Sequence, residues 1–259
     1  MSVMIWPWFS IIHSAGHNAY FINKNLNTAV GFIASVFTLV PFFLWKIHHS
    51  EHHKWTGFAD KDPTALDIEL PPKEKLKTLN ILWKAWIPVL TITHVFTHLW
   101  NIPSIKSLNI EKENLDVKLW ASIVFILLSH IAFTIIQPFF LLYLLISMIP
   151  FVLSSDIILL SQHAQMPMKI SVEGDTPLPL SEHHKYTRSI NFGSFINKYI
   201  FLNFNEHIAH HKKPTLPHFY LSETVDKNDP RRMNGIDWIF YIKKQHIRDV
   251  LKFRLEENS

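Results

Sequence analysis

Seventeen histidines stand in a chain of 259 residues, and most of them are clustered. His13-Ser-Ala-Gly-His17, His49-Ser-Glu-His52-His53 and His207-Ile-Ala-His210-His211 are the dense groups, and Gln162-His163 closes an apolar run. On a helix, residues i and i+4 lie about 40° apart, and i, i+3 and i+4 share an arc of about 100°. An HxxxH pattern therefore aims two imidazoles one way, and HxxHH aims three. With His163 these groups supply nine inward nitrogen donors. A structural zinc ion takes four ligands and a catalytic one three, so nine suits two ions with positions to spare for oxygen species. Imidazole binds iron, zinc and copper alike, which leaves the metal open.

Other chemistries drop out. Carboxylate di-iron sites repeat Glu-x-x-His along bundle helices, a spacing that does not occur here, and there is no HExxH pair. Cysteine is absent, which removes disulfides, thiolate-bound zinc, iron–sulfur clusters and cysteine nucleophiles. Nothing resembles a nucleic-acid module. The remaining polar residues read as follows. His94 and His98 are packing or interfacial residues, and His48, beside the second cluster, takes the place of His49 only in a shifted register. His183 and His184 line a polar approach to the third cluster. His130 and Asp156 lie in apolar runs, where ionisable groups are costly and often functional. Asp156, about 10 Å up the helix from His163, either lines a substrate path or bonds a neighbouring helix.

These donors need elements to hold them. Hydrophobic residues make up 48% of the chain, yet mean hydropathy is only +0.10, because apolar and charged runs alternate. Residues 1–12 would span about 18 Å as a helix, too short for a ~30 Å hydrocarbon core, and the start lacks the features of a signal peptide. Residues 31–45 are interrupted by Pro41, and 46–78 are charged and aqueous. A helix over 119–160 would reach about 63 Å, so Gln137–Pro138 is the expected break. Three crossings are then possible: 79–102, 119–136 and 139–160. Beyond His163 the chain is polar and basic, with an amphipathic helix near 236–255. Net charge is +4, with Lys and Arg gathered at 46–84, 169–213 and 227–254, as on a cytoplasmic membrane face. One metal cluster cannot be ligated from both sides of a bilayer, so the chain between His53 and His163 crosses an even number of times. Lys84, His94 and His98 make 79–102 the interfacial segment. The expected fold is all-α: an integral-membrane helical protein with a cytoplasmic histidine-box cap.

These residues also resemble a family. HSAGHNAYF from His13, Trp45-Lys46 before His49-x-x-His52-His53-x-x-Thr56, LLSQHAQMP around His163 and NEHIAHHKKPTLPHFYL around His207 are similar to the three-box membrane fatty-acid desaturases of the acyl-lipid type. The resemblance runs from about residue 13 to 222. It implies that His13, His17, His49, His52, His53, His163, His207, His210 and His211 ligate two iron ions, with no catalytic side chain apart from them. It implies dioxygen as co-substrate, a lipid acyl chain as substrate, and a separate electron donor, ferredoxin or a cytochrome with its reductase. The activity implied is that of an O2-dependent oxidoreductase leaving a cis double bond. A related di-iron lipid hydroxylase or ketolase, or an inactive truncated relative, is the alternative. Two features depart from the family pattern: Ser14 stands where the family has Asp, and twelve residues precede the first box where the family has two crossings. The chain thus reads as one desaturase-like domain, 1–259, lacking the N-terminal spans.

Overall fold

Prolines and residues forced into left-handed backbone decide where this chain turns. The computed structural model describes residues 5–66, 72–111, 113–251 and 254–255. The first four residues of the apolar start, 67–71 of the charged segment, and 252–253 of the expected C-terminal helix lie outside the described residues.

Helix α1 (Ile5–Gly16) carries the first box and packs on α2 (Lys24–Thr38). Leu39 then adopts φ 56° as the helix C-cap. Pro41, unable to continue a helix from behind, opens α3 (Phe42–Trp55), which carries the second box at 103° to α2. The segment 31–45 is therefore a corner between two helices. A short α4 (Pro63–Leu66) leads to α5 (Lys73–Lys84), and Trp86 at φ 62° turns the chain by 118° into α6 (Val89–His94). A π-helical turn, Val95–Leu99, and α7 (Ile102–Lys106) complete this region. The segment 79–102 is thus a bent pair and not one straight rod.

Two long helices follow, α8 (Leu115–Ile136) and α9 (Phe140–His163), separated at Gln137–Pro138 as the sequence suggests. Both are long and apolar enough to cross a membrane. Leu128, Ile131, Ile135, Leu145 and Ile149 on them are exposed, an arrangement stable only against lipid or another apolar surface. Asp156 on α9 accepts the backbone N–H of Thr91 (2.6 Å) and of Leu90 (3.3 Å). It anchors the first turn of α6, the helix-to-helix bond that was one of its two readings.

The polar C-terminal third is short pieces: α10 (Leu180–His183), α11 (His207–Lys212), α12 (His218–Leu221), α13 (Gly235–Lys244) and α14 (Ile247–Leu251). Strands β1 (Pro167–Met168) and β4 (Arg254–Leu255) form one parallel pair, β2 (Ser189–Asn191) and β3 (Arg232–Asn234) another. The chain is mainly helical, but these ladders depart from a wholly α expectation. The expected amphipathic helix divides into α13 and α14, which bury Trp238, Ile242, Ile247 and Leu251 against Trp83 of α5 and Ile157 of α9. Lys84 donates to the carbonyls of Lys243 and Lys244, and Lys243 to that of Trp83. These cations meet exposed helix C-termini, where they are favoured, and explain why Lys84 interrupts an apolar run.

Candidate metal centre

A core of rings lies beneath the boxes. Trp6, Phe9, Trp45, Phe151, Phe201 and Phe204 pack from α1, α3, α9 and the approach to α11. Trp45 stacks on His49 at 4.6 Å and 18°. It can do so because Gly16 lacks a Cβ: one added there would run into the Trp45 ring.

The structure brings all nine expected histidines together and divides them into two groups. His13 on α1, His17 in the turn after it, His49 and His53 on α3, and His210 on α11 form one. His52 on α3, His163 at the end of α9, and His207 and His211 on α11 form the other. Within each group, one nitrogen per residue lies within 4.8 Å of all the others. The two HxxHH boxes divide in opposite senses. The i,i+4 pair of the second box joins the first group and its middle histidine crosses to the other, while the third box does the reverse.

The spacing fits a shared ion. Nitrogens each about 2.1 Å from one ion and at right angles stand about 3.0 Å apart. His53 Nε2 lies 3.1 Å from His49 Nε2 and 3.0 Å from His210 Nε2. His207 Nε2 lies 2.9 Å from His163 Nε2 and 3.0 Å from His211 Nε2. Burial, reinforced by the neighbouring imidazoles, pushes His13, His207, His210 and His211 well below the ordinary histidine range and His17 down to about 3. At neutral pH they are uncharged, the form that binds metal.

Partners behind the rings select which nitrogen faces inward. His52 Nδ1 donates to Asp62, 2.8 Å from Oδ2 and 3.0 Å from Oδ1. Burial pushes the Asp62 carboxyl up, but His52 and the Thr64 hydroxyl outweigh it and hold the group below the usual carboxylate range. Ionised, it keeps the proton on Nδ1 and leaves the Nε2 lone pair free, the arrangement a metal-binding imidazole needs. His163 Nδ1 donates to the Tyr186 carbonyl at 3.2 Å. Arg188 donates to the carbonyls of Ser161 and Ala164, bracing the helix end that carries His163. The third box is tied to the β2–β3 ladder: Ser189 Oγ accepts the Ile208 N–H, and Arg232 grips Glu206 at 2.6 Å.

Several of these partners escaped sequence reading. Asp62 left a signal, since Asp62-Pro63-Thr64 is a helix-start signature just downstream of a histidine box. Ser14, standing where the resemblance expects Asp, bonds His218 Nδ1 and accepts the His218 N–H. His49 lies in the cluster and His48 outside it, packed against His94 and His98 at ring separations of 5.1 and 5.4 Å. His130 donates to the Ile126 carbonyl of its own helix. His183 does not line an approach: it is 2% exposed and groups with His53 and His211.

The family model described as fatty acid desaturase matches residues 1–235. The chain belongs to the fatty acid desaturase family. A Delta(12) fatty acid desaturase of Mortierella isabellina is 42% identical over 69 residues, 25% of this chain and 17% of that protein. An endoplasmic-reticulum omega-3 fatty acid desaturase of Vigna radiata is 29% identical over 98 residues, 38% of this chain and 26% of its own length. An sn-1 acyl-lipid omega-3 desaturase (ferredoxin) of Nostoc is 39% identical over 59 residues, 23% of this chain and 16% of that one. The matches thus span about a quarter or less of those relatives' lengths. No solved structure matches.

Proposed function

We propose that this chain is a membrane fatty acid desaturase that binds two irons through the nine histidines and uses dioxygen to introduce a cis double bond into a lipid acyl chain. The observation that carries the reading is the division of the nine histidines into groups of five and four, a donor set suited to a pair of ions. Two irons held by these residues would supply, with dioxygen, the oxidising power that an unactivated methylene pair requires. The overall change balances with two hydrogens from the acyl chain, two electrons from a separate donor and two protons, dioxygen leaving as two waters. The names of relatives such as the Nostoc protein favour an acyl-lipid substrate and a ferredoxin-like donor.

The chain's own residues do the rest. Asp62 and the Tyr186 carbonyl hold protons on the outer nitrogens of His52 and His163. Trp45 fixes the His49 ring, and Arg188 holds the helix end beneath His163. The exposed apolar faces of α8 and α9 offer lipid-like surroundings for a hydrocarbon whose head group meets the basic C-terminal third. With α8 and α9 as a paired crossing, His53 and His163 share one side, and the Lys/Arg distribution favours the cytoplasmic one.

Expression in a host without desaturases, followed by gas chromatography–mass spectrometry of its lipids and iron analysis of the purified protein, tests this. New cis alkenes and two irons per chain are expected. His210→Ala removes one donor and is expected to abolish product while membrane insertion persists. Hydroxy-acyl products, zinc in iron-supplied protein, or full activity in His210→Ala would overturn the reading.

A further inference from the structure

His183 ends α10 and is buried, and it shares a third close group with only two other residues, His53 and His211. One nitrogen of each lies within 4.8 Å of the other two. His53 belongs to the group of five and His211 to the group of four, so His183 stands at their seam. It joins neither larger group, so it stands outside both and does not read as a tenth ligand.

The inner nitrogens of the trio are already engaged. His53 Nε2 faces His49 and His210, and His211 Nε2 faces His207. His183 Nε2 donates to the Leu178 carbonyl at 2.9 Å. The nitrogens left over are the three Nδ1 atoms, each buried and without a hydrogen-bond partner among the described residues. A neutral imidazole has one N–H and one lone pair. With Nε2 of His53 and His211 committed as metal donors, their Nδ1 atoms carry protons. With Nε2 of His183 protonated towards Leu178, its Nδ1 carries a lone pair. Two buried donors and one buried acceptor therefore remain on the three residues of one close group. Neutral His53 and His211 have no second lone pair to give, which argues against a third metal ion here.

Resting on the two-iron reading, we propose that His183 is a positioning residue that links the two groups through one buried water. The water accepts the Nδ1 protons of His53 and His211 and donates to His183 Nδ1. Three hydrogen bonds of about 2.8 Å around a tetrahedral oxygen put their outer atoms roughly 4.6 Å apart, a span that three imidazoles with one nitrogen each within 4.8 Å of the others can reach. Ring N–H groups of metal-bound histidines ordinarily have such an acceptor, and its loss weakens metal binding about 10–100-fold. Here one acceptor serves a ligand from each group.

The test uses full-length, iron-loaded protein in detergent, with His183→Leu, which has no acceptor, and His183→Gln, which restores one. Iron per chain, iron loss to a chelator and Mössbauer spectra are measured. In His183→Leu both iron signals are expected to shift and both irons to leave roughly 10–100-fold faster, with His183→Gln recovering towards wild type. If His183→Leu does not fold, His183→Met replaces it in the same comparison. Spectra and iron loss unchanged from wild type, an effect confined to one iron, or a third metal lost with His183 would overturn the proposal. Wild-type protein that binds no iron would instead defeat the two-iron reading itself.

Discussion

At the scale of single residues, Asp62 shows how one imidazole of the proposed centre, His52, is oriented by its surroundings. Its carboxylate receives the His52 Nδ1 proton and the Thr64 N–H and hydroxyl, so one residue both caps α4 and fixes a tautomer. Asp62→Ala is expected to weaken iron retention about 10–100-fold. Asp62→Asn, which keeps an acceptor but not the charge, is expected to fall between. Competition with a graded series of chelators measures both, and unchanged retention in Asp62→Ala would leave Asp62 only the helix cap. The gathering of the nine histidines was legible in the sequence, because helical spacing aims HxxxH and HxxHH residues together and His163 closes an apolar run. Their partners were not. Asp62 reaches His52 across a turn, and Ser14 meets His218 from 204 positions away, and no periodicity records such contacts. The opposite division of the two HxxHH boxes was likewise hidden, because one arc of about 100° does not say which of its three rings meets which neighbour.

At the scale of elements, breaks matter as much as helices. The Gln137–Pro138 break was legible because proline and helix length both demanded it. The corner after α5 was not, since Trp86 at φ 62° is a non-glycine residue in left-handed backbone that composition does not announce. Helix α8 begins at Leu115, before the apolar run, because an acidic residue such as Asp116 is favoured in a first turn. The contact between α1 and α3 depends on Gly16, whose missing side chain admits Trp45. Gly16→Ala forces that ring away from His49, with a cost of about 1–3 kcal/mol for an overpacked core. The expected outcome is a lower thermal midpoint together with weaker iron binding. Scanning calorimetry and iron analysis on the same sample check it, and wild-type values in both would show that α1 and α3 have slack.

At the scale of the whole molecule, the cluster draws donors from α1, α3, α9 and α11, so their site-bearing ends must meet on one side of the bilayer. Helices α8 and α9 meet this demand if the chain leaves that side at Leu115, turns at Gln137–Pro138 and returns at His163. The bent pairs α2–α3 and α5–α6 then belong to the same side as re-entrant or interfacial pieces, which accommodates Lys84, His94 and His98 without carrying them to the bilayer centre. The absence of cysteine makes the topology directly measurable, because any introduced cysteine reports alone. Ser50, Lys212 and Gln137 are all exposed. Ser50→Cys and Lys212→Cys are expected to react with a membrane-impermeant maleimide from the same side, the cytoplasmic one, and Gln137→Cys only from the other. Labelling of Ser50→Cys and Lys212→Cys from opposite sides would separate the second box from the third by a full hydrocarbon core. No shared centre survives that distance, whatever the spacing of the histidines within each box.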